Sequence, residues 1–353
     1  VPPLLRRAVG PLVRDLAGAL LYRSGITRPA RQGAGRLSVV TFHRVLPEAA
    51  LRDYPLPQIA VTPPELAWFL AHFQAHYTCG ALAAVHRRWL DGERPPRPFL
   101  AITFDDGQRD NFEHARPALA AAGLAATFFA PLDAVDGDQP LWHDRLGFAA
   151  ARLLQRERTA ALALLGPPGA VERPGAAPVP DAALVGQAIQ QAKRLAPGER
   201  VALVARLEAR LGESARPPWD GLMSWDQLRA LARDGHEVGS HSLSHPILTL
   251  VDDAQLEREV AGSRLRLEAE LQRPCESFCY PNGDCDERVA AAVRQAGYRR
   301  AVLTRWGANP AGTDPLRLAR LDMQGRHARD RRGRLSAARL AFRMSRLFPG
   351  PAA

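Results

Sequence analysis

Two adjacent carboxylates, Asp105 and Asp106, end the apolar run ITFDDG (102–107), just before a glycine. Side by side, like charges repel unless one is neutralised or the two take different roles. Far along the chain, HSLSH sets His241 and His245 four residues apart. That spacing brings two imidazoles to one side of a helical turn or a tight loop, and it suits a shared cation. One aspartate added to the pair makes a set of two histidines and one carboxylate with positions left open for water. Zn2+ is the default ion for such donors, and Co, Ni, Fe or Mn suit them as well. One member of the aspartate pair can then ligate the cation and be neutralised by it, while the other accepts a proton from a water that the cation acidifies.

The elements that must position these groups are legible as alternating patterns. Runs rich in β-branched and aromatic residues at 37–43, 99–104, 126–130, 236–241, 276–281 and 299–304 read as strands. Helical periodicity falls near 63–76, 111–122, 224–234, 253–271 and 285–296. Strand and helix keep exchanging, which argues for parallel strands with crossover helices, either a barrel or a doubly wound sheet. In both, the C-terminal strand ends share one face, where sites assemble. Three expected strand ends carry polar groups that a structural strand does not need: Asp105 with Asp106, His241, and the Pro281, Asn282, Gly283 turn. Residues 145–215 break the rhythm with helical patterns around a Pro/Gly/Ala stretch, and read as a helical insertion.

The chain of 353 residues carries a net charge of +10, almost all of it from arginine, since Lys193 is its only lysine. A basic surface admits anionic partners: nucleic acid, phospholipid or a phosphate-linked glycan. No basic–aromatic interleaving supports a nucleic-acid surface, and none is expected. The four cysteines lack CxxC spacing and read as reduced. Residues 3–22 have the pattern of a cationic amphipathic helix, able to lie on an anionic membrane or to pack on the domain. The expected organisation is therefore that helix and a linker over 1–36, a main domain over 37–323, and a basic tail over 324–353. Arg14 and Asp15 interrupt what would be the apolar core of a signal peptide, so the expected location is cytoplasmic or peripheral to the inner face of the cytoplasmic membrane.

TFDDG, HSLSH and FCYPNG, in this order and on these strands, resemble the signature of the polysaccharide deacetylases, the NodB-homology domains of carbohydrate esterase family 4. The segment 224–246 is similar to that family's approach to its histidine motif. The stretches 39–48 and 302–323 resemble flanks in a bacterial branch linked to surface-polysaccharide biosynthesis. The resemblance implies a distorted (β/α)7 barrel. It implies Asp105 as catalytic base, and Asp106, His241 and His245 as ligands of a divalent metal. It implies removal of N-acetyl groups from N-acetylhexosamine units of a polysaccharide or lipid-linked glycan, with the oxyanion held by the cation and a backbone N–H of the loop at Tyr280, Pro281 and Asn282.

Two departures from the family pattern matter. Cys279 stands where many members have an arginine that orients the catalytic aspartate, and Arg317 or Arg320 is the expected substitute. No late Leu-x-His motif supplies a general acid. His327 sits among arginines, and His43, at the end of the first strand, could contact substrate or act as the acid. In PLWHD, Trp142 could stack on a sugar ring and Asp144 could bind a hydroxyl. The competing expectation is a carbohydrate-binding relative that kept the barrel without catalysis.

Overall fold

A computed structural model describes residues 15–137, 141–165, 179–212, 216–348 and 350. Seven strands form its centre: β1 (Leu37–Phe42), β2 (Phe99–Phe104), β3 (Thr127–Ala130), β4 (Glu237–Ser240), β5 (Ser277–Cys279), β6 (Arg300–Trp306) and β7 (Leu318–Asp322). Each pairs in parallel with the next, and β1 closes the ring by pairing with both β7 and β2. The closing register runs from Leu37 opposite Phe99 to Phe42 opposite Phe104. The short strand Thr78–Gly80 adds to the first half of β2 outside the ring. Barrel, rather than open sheet, is thus the outcome of the two architectures that the alternation allowed.

Every residue of β1 and β2 is buried, as expected for strands with a packed interior on one side and helices on the other. Alternation sorts them. Val39, Ala101, Phe129, Cys279, Val302 and Leu318 join Leu82, Val85 and Trp89 of the helix Leu82–Leu90 in one apolar cluster. That helix caps the N-terminal mouth, where its backbone N–H groups at Leu82 and Ala83 donate to Thr127 and Glu237. Two residues further along β1, β2 and β7 the interior turns polar: Thr41, Thr103 and Arg320 are all buried, and Arg320 donates to both threonine hydroxyls. The chemistry-bearing residues stand just beyond this layer.

The insertion contributes helices α1 (Trp142–Arg156), α2 (Arg158–Leu165), α3 (Asp181–Ala192) and α4 (Pro197–Leu211), with a separate apolar core that includes Leu146, Leu153, Val185, Val204 and Leu207. A buried ionic cluster fastens it to the barrel. Arg44, 1% exposed, donates to Asp110 at 2.7 Å, to Asp220 at 2.9 Å and to Asp144 at 3.4 Å. Removing one partner from such a cluster would leave buried charge uncompensated.

The segment after 323 is more than a tail. Ala328 and Leu340 are fully buried in the main core, and helix Ala337–Arg343 lies against the barrel. Of the N-terminal amphipathic segment, residues 1–14 lie outside the described residues; 15–23 are helical, with Leu16 and Leu20 exposed and Asp15 accepting from the Arg331 backbone N–H at 3.0 Å. Among the described residues no helix is long and apolar enough to cross a membrane.

Candidate active site

Asp105 and Asp106 take different partners at the end of β2, where the backbone turns sharply. Asp106 has φ 71°, and Gly107 follows at φ 62°. Among the described residues six non-glycines have positive φ, and four of them, Asp106, Ser242, His245 and Asn282, belong to this rim. Strain of this kind persists only where surrounding contacts hold it, and it concentrates at functional sites. Here the loop after β4 is held twice: Glu259, 5% exposed, accepts from the backbone N–H groups of Leu243 and Ser244 at 2.9 Å each, and Ser242 Oγ accepts from the His245 N–H at 3.0 Å.

The result is a compact donor set. His241 Nε2 and His245 Nε2 lie 3.2 Å apart, and each is 3.4 Å from Asp106 Oδ1. Two imidazole nitrogens facing each other at that distance repel unless a proton or a cation lies between them. The edge of a tetrahedron built on metal–ligand bonds of about 2.0–2.1 Å is about 3.3 Å, so the triangle fits one small divalent ion. The tautomer fits too. His241 Nδ1 lies 2.8 Å from the Cys279 carbonyl, to which it donates, and this leaves the Nε2 lone pair aimed at the cluster. Burial by itself would raise the Asp106 carboxyl, but hydrogen bonds to His241 and His245 and the nearby His143 hold it well below its ordinary value.

Asp105 faces a different partner. Arg320 grips it with two parallel bonds, Nη1 to Oδ1 and Nη2 to Oδ2, both 2.7 Å. The guanidinium is itself fixed by the Leu303 carbonyl at 2.8 Å and by Thr41 Oγ1 at 3.1 Å, and its Nη2 lies 3.4 Å from Cys279 Sγ. Burial opposes ionisation of Asp105, yet Arg320 outweighs it and holds the carboxyl below its usual range. The arginine absent at 279 is thus replaced across the barrel, with the small Cys279 making room. Arg317 instead pairs with Glu287 away from the cavity.

A cavity of about 320 Å³ opens over both aspartates. His43, Trp142, Tyr280, Asn282 and Arg320 line it together with Asp105, Asp106, His241 and His245. Pro281 is buried and does not line it. The expectation that Asp144 binds a substrate hydroxyl is corrected: it is fully buried, and its oxygens are taken by Tyr54 at 3.0 Å, Gln108 at 3.1 Å and Arg44. His327 lies outside the cavity lining. Two titratable lining residues had no part in the expected site: His143, with Nε2 3.8 Å from Asp106 Oδ2, and Lys193 at the end of α3. The WHD run was a signal for the first; nothing in the sequence marked the second beyond its being the only lysine.

The family model described as polysaccharide deacetylase matches residues 184–301, a stretch that contains His241, His245 and the loop at 280–283 but not Asp105 or Asp106. A peptidoglycan-N-acetylglucosamine deacetylase of Bacillus cereus is 26% identical over 83 residues, 24% of this chain and 38% of that protein, so the chain spans well under half of the curated relative it matches. Three solved structures share the fold. The deacetylase PplD of Streptococcus pyogenes, in complex with acetate, has a TM-score of 0.53 at 15% identity, covering 82% of this chain and 92% of its own. IcaB from Ammonifex degensii has a TM-score of 0.52 at 17% identity, covering 83% and 93%. A polysaccharide deacetylase from Bacillus cereus has a TM-score of 0.51 at 18% identity, covering 81% and 64%. The matched segment is thus similar to polysaccharide deacetylases, and the seven-stranded barrel is the fold that these solved structures share.

Proposed function

We propose that the protein is a metal-dependent hydrolase that removes N-acetyl groups from N-acetylhexosamine units of a polysaccharide or a lipid-linked glycan. The observation that carries this reading is the pairing of a three-donor cluster with a carboxylate beside it, Asp105, whose two oxygens are bound by Arg320. Asp106, His241 and His245 would hold the ion. When bound, a divalent cation there supplies Lewis acidity and lowers the pKa of a water. Asp105, kept as a carboxylate by Arg320, accepts the proton that the attacking water gives up. The loop at Tyr280 and Asn282 borders the space for the acetamide, and acetate and a free amine are the products. A carbohydrate-binding relative without catalysis would not need a base held beside a complete ligand set. Acetate release from N-acetylglucosamine oligomers, abolished by chelator and restored by Zn2+ or Co2+, is the expected result; release that is indifferent to chelator would refute the metal requirement.

His43 is the group best placed to protonate the leaving amine. Its Nε2 is 3.8 Å from Asp105 Oδ2, the ring is partly open to the cavity, and Nδ1 is buried without a partner. His43→Gln is expected to lower kcat on the amide about 100-fold while sparing 4-nitrophenyl acetate, whose leaving group needs no proton. Equal losses on both substrates would remove His43 from that role.

The reading also includes peripheral contact with an anionic membrane, supported by the exposed Leu16 and Leu20 on a cationic segment. Recovery of the native protein in a soluble fraction that anionic vesicles fail to deplete would dispose of it.

A further inference from the structure

The wall of the cavity opposite the barrel is built by α3. Gly186, Ile189, Gln190 and Lys193 fall at helical spacing and line it as one stripe. Gly186 leaves the helix backbone open, since a Cβ there would meet no atom within 4 Å. Gln58 enters from the loop after β1. Among the described residues the side chains of Gln58, Gln190 and Lys193 take part in no hydrogen bond or ion pair. The other charged groups of the cavity are committed: Asp105 to Arg320, and Asp106 to the two histidines. Asp284, which lies near enough to be felt by Lys193, accepts from the Asn282 amide at 2.6 Å.

Lys193 is the only lysine in a chain with 47 basic residues, and it stands half-buried over the site with no counter-ion in contact. Burial lowers its ammonium pKa, with Asp284 and Asp106 acting in opposition. A partly desolvated cation without a partner is costly in the empty cavity, and a ligand anion would offset that cost. Trp142 adds an apolar ring on the same wall, with an indole N–H that is buried and unpartnered. Charge, amide donors and an aromatic face together describe a subsite for an acidic sugar.

We infer that Lys193, with Gln190 and Gln58, recognises an anionic group on the glycan next to the unit being deacetylated, so that the preferred substrate is an acidic rather than a neutral N-acetylated glycan. This rests on the deacetylase reading for its catalytic consequence, though not for the binding itself. The anion is either a uronate carboxylate or a phosphate ester, which offer an ammonium and two amides the same chemistry.

The test uses the full chain loaded with Zn2+ and three probes: a hyaluronan tetrasaccharide, a chitin tetrasaccharide and N-acetylglucosamine 1-phosphate. Binding is measured by calorimetry and turnover by acetate release. Wild type is expected to favour at least one acidic probe over the neutral one, and which acidic probe wins identifies carboxylate or phosphate. Lys193→Gln is expected to lower the acidic-to-neutral ratio of kcat/KM about tenfold, mainly through KM on the acidic probe, and Lys193→Arg to retain the preference. A ratio unmoved in Lys193→Gln overturns the inference while leaving the deacetylase reading intact. Acidic-probe binding that depends on Lys193, without acetate release from any probe, sustains the inference and counts against the deacetylase reading. No preference in binding or in turnover overturns it outright.

Discussion

Replacing Asp105 by Asn is expected to slow acetate release by about 100- to 10,000-fold while leaving metal content unchanged. The amide keeps the size of the carboxylate but cannot accept a proton from water. Metal content holds because the triangle of Asp106, His241 and His245 closes without Asp105. The substitution also deprives Arg320 of its bidentate partner, so a thermal melt must accompany the kinetics. A variant that melts lower but binds metal at full stoichiometry and does not turn over is the expected outcome. Retention of more than a tenth of wild-type turnover would move the base to another residue. Loss of metal would make Asp105 a ligand.

Arg320→Met has the second large expectation, and it falls on stability as well as on rate. Arg320 and Asp105 are 1% and 2% exposed, and the carboxylate depends on the guanidinium for both of its oxygens. Removing the cation leaves a buried negative charge, an uncompensated state that costs about 3–5 kcal/mol. Activity is expected to fall at least 100-fold even where the protein stays folded, because the base loses the charge that keeps it ionised and the fork that orients it. Cys279 provides the control. Its sulfur lies 3.4 Å from Arg320 Nη2, so an arginine introduced at 279 reaches the same space. The double variant Arg320→Met, Cys279→Arg is expected to recover part of both losses. Denaturant unfolding and acetate release are the two readouts; a single variant as stable and active as wild type would show that Arg320 is not what holds Asp105.

How far the sequence reaches is clearest at particular residues. The strand at 99–104 and the helix at 63–76 match their expected limits, because apolar runs bounded by turn residues and a Thr62–Glu65 capping box leave little ambiguity. β7 was not legible as a strand. Arg320 and Asp322 interrupt its apolar pattern, and Arg320 does so because it points inward to serve Asp105. A residue placed for function erased the local signal of the element that carries it. Asp144 misled for the opposite reason. In a loop-following run beside Trp142 it looked available, yet its partners Arg44 and Tyr54 lie about ninety to a hundred positions away in the chain, and only the folded barrel brings them to it. The helical content of the insertion could be read from periodicity, but not its placement over the cavity, which depends on the Arg44 cluster and leaves Lys193 above the aspartates. By contrast, the aspartate pair and the two histidines announce themselves through residue type and spacing, while the choice of Asp106 over Asp105 as the ligand comes from the family resemblance.

Elemental analysis of the purified protein beside its Asp106→Ala variant tests the central claim most directly. The account predicts close to one equivalent of a divalent transition metal in the wild type and a small fraction of that in the variant, with the variant still folded by circular dichroism. Equal metal content in the two proteins, or a wild type that takes up no divalent ion even when zinc is supplied, would contradict it.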